Sequence, residues 1–186
     1  MCRPRPARAP SRLGANRPGR HCRRLAPTHR TREAALSETR IIIDGDACPV
    51  KAEALRVAKR HRLPVVIVSN GGLRPSRDPN VRHVVVPREP DAADDWIAAN
   101  ATPADIVVTA DIPLADRALK AGAIALGPEG RPFTDDSIGM ALAMRDLKRH
   151  LRETGAIESG GRGFAPADRS RFLGELDRLI RRKAKQ

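Results

Sequence analysis

Short apolar runs, each ending on an acid or a turn and most of them followed by a helical stretch, govern what this chain can fold into. Ile41-Ile42-Ile43 leads into Asp44-Gly45-Asp46, and Pro49 follows. Val65-Val66-Ile67-Val68 ends at Ser69-Asn70, and Val81 to Val86 stops at Pro87. Ile106-Val107-Val108-Thr109 reaches Ala110-Asp111, and Ala123-Ile124-Ala125-Leu126 closes at Gly127-Pro128. The unbroken apolar runs at 41–43, 65–68 and 106–108 suit strands covered on both faces, as inside a parallel sheet. Strands alternating with helices predict right-handed βαβ units. The expected fold class is α/β: a single three-layer α/β/α domain over residues 39–186, with a mostly parallel sheet of about five strands and C-terminal helices.

The segments between the runs supply the helices. Pro49 to about His61 carries Val50, Ala54, Val57 and Ala58 on one face, and Pro49 suits a first helical turn. A short helix is expected from Asp91 to about Ala99, and another from Pro113 to Ala121. A longer one is expected from about Asp135 to Thr154, with Thr134 as N-cap and Gly155 after its end. Met140, Met144, Leu147 and Leu151 recur on one face of it, and burial of that stripe is expected. The last helix, from Pro166 to about Arg182, aligns Phe172, Leu173, Leu176, Leu179 and Ile180.

The charge of the chain is unevenly spread. Of a formal net charge of +13, residues 1–40 contribute 11 Arg against Glu33 and Glu38. The remaining 146 residues carry 24 Lys and Arg against 20 acids, so the folding part is only mildly basic. Residues 1–38 are Arg, Pro, Ala and Gly without hydrophobic period, and a disordered basic tail is expected there. Its composition reads as upstream sequence translated from an early start codon; a basic arm gripping nucleic acid is the alternative. The tail lacks the apolar core of a secretory signal, and the chain has no apolar run long enough for a membrane span. Cys2, Cys22 and Cys48 do not make a disulfide framework or a zinc pattern, which points to a reducing, cytoplasmic setting. With no Tyr and only Trp96, Phe133, Phe164 and Phe172 as aromatics, a base-stacking platform is excluded. An RNA partner would be held mainly through its phosphates. The oligomeric state is left open, a homodimer included.

Two strand ends share a design. Residues 41–49 and 106–113 both run from apolar strand to Asp to a proline that opens a helix. If those strands are parallel neighbours, Asp44, Asp46 and Asp111 converge on one rim, at the edge where open parallel sheets bind ligands. Asp91 and Asp94 can reach the same rim, while Asp95 reads as surface. Carboxylates so gathered repel one another unless a cation lies among them, and Mg²⁺ or Mn²⁺ is the natural occupant. Such a site suits phosphodiester cleavage, with Asp44, Asp46 and Asp111 catalytic and Asp44, Asp111, Asp94 and Asp91 on the metal. Asp46 and Asp111 also suit plain helix capping, which leaves Asp44 unexplained. Ser69 and Asn70 end the second strand at this rim, to bind substrate or simply to begin the turn. Arg74 and Arg77, with Arg82, can grip a phosphate backbone or stay solvated. Cys48 reads as a small packed residue, and Arg145 with Asp146 as an exposed mid-helix pair. Gly160-Gly161-Arg162-Gly163 follows a helix rather than a strand, a poor phosphate loop.

The motifs Asp44-x-Asp46-Ala47-Cys48-Pro49, Thr109-Ala110-Asp111-Ile112-Pro113-Leu114-Ala115, Met144-Arg145-Asp146 and Phe164-x3-Asp168-Arg169-x2-Phe172 resemble the YaiI/YqxD family of small bacterial proteins. The likeness covers roughly residues 40–183. The resemblance implies a fold similar to the PIN-like nucleases, which carry acids at strand ends around Mg²⁺ or Mn²⁺ and cut RNA. By position, Asp44 and Asp111 match those acids best, with Asp46, Asp91 and Asp94 beside them. Glu89-Pro90 stands where the family more often has glycine. A rival resemblance is to the haloacid-dehalogenase phosphatases, with Asp44 as nucleophile, Asp46 as acid/base, Ser69 on the phosphate and Asp111 and Asp116 as the later acids. Residues 71–119 lack the lysine that family supplies, and Pro49 leaves no room for its flap. A non-catalytic RNA- or protein-binding module is the third alternative.

Overall fold

Ile41–Asp44 forms β1, and it is paired on both sides. In the computed structural model, which describes residues 39–46, 48–72, 74, 76–156 and 164–184, ten elements follow in order. They are β1, α1 (Lys51–His61), β2 (Val65–Ser69), β3 (Val81–Val85), α2 (Ala92–Asn100), β4 (Ile106–Val108), α3 (Ile112–Lys120), β5 (Ile124–Leu126), α4 (Asp135–Glu153) and α5 (Pro166–Lys183). The tail assigned to residues 1–38, Cys2, Cys22 and Gly160–Gly163 lie outside the described residues. The five strands form one sheet in the order β3-β2-β1-β4-β5, and every pairing is parallel. Among the described residues no helix is long and apolar enough to cross a membrane.

Side chains alternate across the sheet, so one strand serves two cores. Ile41 and Ile43 face α1 and α5, where Val57, Phe172, Leu176 and Leu179 are buried against them. Ile42, Val66 and Val107 face the other way, onto Ile97 of α2, Leu114 and Ala118 of α3 and Ile138 of α4. Each fully buried Ile, Leu or Phe contributes about 1.5–3 kcal/mol. Asp44 has the parity of Ile42, and so emerges on the side of α2 and α3. The chain winds from β1 outward to β3, then crosses back to β4 and β5. The helices after β1 and β4 therefore leave on opposite faces, and a crevice opens between them at the carboxyl edge.

At the opposite edge Arg40 and Asp105 lock β1 to β4. The Arg40 guanidinium donates to both Asp105 oxygens, at 2.7 and 3.1 Å, while Thr102 adds its amide and hydroxyl at 2.7 and 2.8 Å. Asp105 is fully buried, so these donors replace all its water. At the far side of β5, Gly130 turns with φ +72°, and a Cβ there would lie 2.5 Å from the Phe172 amide nitrogen on α5.

The long helix departs from expectation. Met140 is 71% exposed, Met144 45% and Leu147 50%, and Leu151 is only half-buried. α4 packs on the body through the opposite side, with Ile138 buried and Leu142 half-buried. Both faces of this helix carry apolar residues at helical spacing, and periodicity alone favoured the wrong one. The stripe of α5 is buried as expected, apart from a half-buried Leu173. α1 starts at Lys51 because Pro49 and Val50 form a turn first.

Asp105→Ala is expected to cost about 1–3 kcal/mol, because the Thr102 amide and hydroxyl and the Arg40 guanidinium then lose their shared acceptor; urea unfolding measures it. Gly130→Ala is expected to cost at least about 1–3 kcal/mol by the same measurement, since helix backbone must shift to admit the methyl.

Candidate active site

Four connections supply the crevice at the carboxyl edge. The β1–α1 turn brings Asp44 and Asp46, the end of β2 brings Asn70, the approach to α2 brings Glu89, Asp91 and Asp94, and the β4–α3 turn brings Asp111. All of these border one cleft.

Asp44 is 3% exposed, and its surroundings explain how a carboxylate is tolerated there. Thr109, itself fully buried, donates its hydroxyl to Asp44 Oδ2 at 3.0 Å, and the Asp46 amide donates to Oδ1 at 3.2 Å. The same Thr109 hydroxyl oxygen accepts from the Asp111 amide at 2.9 Å. One hydroxyl thus fixes the two strand-end acids relative to each other. Asp111 caps α3, its Oδ1 accepting from the Leu114 amide at 3.0 Å. Asp46 is exposed, and its Oδ2 accepts from the Asn70 amide at 3.0 Å, which ties the β1 and β2 ends together. Capping and cleft-lining are both true of Asp111; they are not alternatives. Lys51 donates its ammonium to the Gly45 carbonyl and braces the loop from below.

Asp91 precedes α2 with φ +59°, a left-handed conformation, and its side chain does not cap the helix. An aspartate tolerates this conformation better than most residues. Asp94 lies one turn on. Burial, and then the charges of Asp111, Asp44 and Asp91, push its carboxyl from 3.8 up to about 6, against a smaller opposing pull from Arg117.

Other residues singled out in the sequence fall elsewhere. Ser69 is 1% exposed and does not border the cleft; Asn70 occupies the rim instead. Arg74 and Arg77 are exposed on the connection from β2 to β3, away from the cleft lining. Asp95 is exposed and paired with Arg117 at 2.7 Å. Asp116 pairs with Lys120 at 2.7 Å, so the second acid of the phosphatase pattern faces away from the cleft. Cys48 is buried, and desolvation pushes its thiol up to about 11, the setting of a packed thiol rather than an activated one. Asp168 spends its carboxylate on the Ala165 amide at the start of α5.

Two contributors escaped sequence reasoning. Thr109 follows an apolar run, and in the sequence nothing distinguishes it from an ordinary strand end. Arg145, read as half of an exposed pair, lines a continuation of the cleft together with Asp91, Asp94, Asp95, Asp111 and Arg117. Its position depends on how α4 docks on α3, which no local pattern reveals. Among the described residues no three or more His, Cys, Asp or Glu side chains are grouped closely enough to hold a metal ion together; the acids border an open crevice.

Fold and site together define a doubly wound α/β protein with a carboxylate cleft at its topological switch point. The family described as an uncharacterized BCR, YaiI/YqxD family matches residues 42–182, and the chain belongs to it. A UPF0178 protein of Mesorhizobium japonicum is 65% identical over 145 residues, covering 78% of this chain and 94% of that protein. UPF0178 proteins of Parvibaculum lavamentivorans and Rhodospirillum rubrum are 63% and 59% identical over 142 and 141 residues, covering 76% and 75% of this chain and 93% and 94% of theirs. No solved structure gives a significant match.

The raised Asp94 carboxyl predicts a pH dependence. The folded state holds this proton more tightly than the unfolded chain, so the stabilisation is complete below about 4 and is lost as pH rises through about 6. Asp94→Asn is expected to flatten this part of the stability curve and to raise Tm at pH 7; thermal melts of both proteins across the range measure it.

Proposed function

We propose that the chain is a divalent-cation-dependent hydrolase that cleaves phosphodiester bonds in RNA. The convergence of Asp44, Asp111, Asp91 and Asp94, from three separate connections, on one cleft at the switch point of the sheet carries this reading. Oxygen donors alone border that cleft, in carboxylates and one amide, and this donor set fits Mg²⁺ or Mn²⁺ rather than a thiolate- or imidazole-seeking metal. The open arrangement agrees with an ion that keeps several waters and takes only one or two carboxylates directly. Asp44 and Asp111 are the residues to hold it, with Asp94 and Asp91 across the cleft. When bound, the cation would neutralise the charge that builds on a phosphoryl group in the transition state.

The chain's own residues do the rest. Thr109 holds Asp44 and Asp111 in fixed relation, which preorganises the site before any ligand arrives. Asp46, exposed at the mouth with one oxygen engaged by Asn70, is placed to orient a water. Without a cation the acids repel phosphate, so RNA binding and cation binding are coupled. The resemblance to PIN-like nucleases that the sequence motifs imply points to the same reaction.

Labelled single-stranded RNA incubated with Mn²⁺, Mg²⁺ or EDTA tests this. Cleavage is expected with either metal, absent in EDTA, and reduced by about a hundredfold or more in Asp44→Asn and Asp111→Asn. Cleavage that survives both substitutions would remove the reading, as would hydrolysis of p-nitrophenyl phosphate without any cleavage of RNA.

A further inference from the structure

We propose that Arg145 is the phosphate anchor of the cleft: it holds the phosphate next to the scissile one, and so makes the site select a polynucleotide over a small phosphate ester. The inference rests on the phosphodiesterase reading for which bond is cut, but its evidence comes from a different helix.

Beyond Asp111 the cleft runs past the start of α3 to α4, where Arg117 and Arg145 form its far wall. The two arginines differ in their commitments. Arg117 closes on Asp95 at 2.7 Å. Arg145 borders the same acids without closing on any of them. Among the described residues, the carboxylate it approaches is its neighbour Asp146, at 4.0 Å, and Asp146 lies nearer to Arg149, at 3.4 Å. An exposed pair at that separation contributes little. An arginine that lines the cleft and has only this long contact to a carboxylate among the described residues keeps its donor fork available for another acceptor.

The helix that carries it is anchored at its start. Thr134 and Ser137 exchange hydrogen bonds in a capping box at the start of α4, and Ile138 docks the first turns on the body. A guanidinium offers two parallel N–H groups that match two oxygens of one phosphate. A cation on the acids and Arg145 on the wall would then receive successive phosphates of one strand. A lone phosphate ester, filling only the acid end, gains nothing from Arg145. This cation also takes over the role that sequence reading gave to Arg74 and Arg77, which stand away from the cleft.

The test uses the full chain and a fluorescein-labelled RNA octamer, with Ca²⁺ in place of Mg²⁺ or Mn²⁺, read by anisotropy over a salt series. The variants are Arg145→Ala, Arg145→Lys and, as a control on the same helix, Arg149→Ala. Any contribution from the basic N-terminal residues is common to all of them. Arg145→Ala is expected to bind about tenfold more weakly, with a salt slope shallower by about one. Arg145→Lys should fall between it and the parent, and Arg149→Ala should stay within about twofold. Equal binding by Arg145→Ala and Arg149→Ala would overturn the assignment; if Arg145→Ala fails to fold, a parent-like Arg145→Lys would do so. Cleavage with Mn²⁺ is read separately on the same proteins. Arg145-dependent binding without cleavage by the parent would keep the anchor and remove the hydrolase reading. Cleavage by the parent with Arg145-independent binding would do the reverse.

Discussion

Asp44 ends a strand that is hydrogen-bonded on both sides, and those two ladders decide where its carboxylate can point. A slip of one residue in either would turn Asp44 toward α1 and α5, into a wall of Ile, Val and Phe side chains. The register is held against that slip by the apolar parity of Ile41, Ile42 and Ile43, and at the other edge by Arg40 and Asp105. A buried carboxylate also needs donors, and Thr109 supplies one from the neighbouring strand end. The rest of the cleft depends on this arrangement. Asp111 is placed by the same hydroxyl, and Asp46 follows Asp44 by two residues into a turn that Asn70 closes.

The cleft runs against the charge of the whole. The chain carries a formal +13, yet at the switch point burial, and then the neighbouring acids, raise the Asp94 carboxyl to about 6. Net charge governs long-range attraction to a polyanion, and local geometry governs what happens on arrival. Arg117 and Arg145 mark the border between the two regimes: basic wall on one side, carboxylates on the other.

Much of this was legible from residue order, for physical reasons. A parallel strand buried on both faces must be apolar throughout, so its run and its terminating Asp can be read directly, as at 41–44 and 106–111. The five strands, and the meeting of Asp44, Asp46 and Asp111 at one edge, followed from that pattern and from the handedness of βαβ crossovers. What escaped depends on packing between elements distant in sequence. α4 has apolar residues on two sides, and only its docking on α3 shows that Met140, Met144 and Leu147 face outward. Asp105 was indistinguishable from any loop acid until its bond to Arg40, 65 residues away, was seen. Arg145 and Arg74 look equally exposed as sequence; helix packing brings one to the cleft and leaves the other outside it.

The strand order also dictates how late this cleft can come into being. β1 lies at the centre of the sheet but is the first strand in the chain, and the partner that holds its terminal acid lies 65 residues downstream. The helix that covers its other face, α5, is joined to α1 through Arg60 and Asp177, 117 residues apart. Contacts of such separation close slowly, because loop entropy must be overcome before they form. During synthesis β1 with α1 and β2 can only associate provisionally, with one flank of the central strand open. Asp111 is the last of the cleft acids to arrive, since it follows β4 in the chain. Its repulsion from the acids already gathered by β1 and α2 therefore opposes the final closure of the sheet rather than its nucleation.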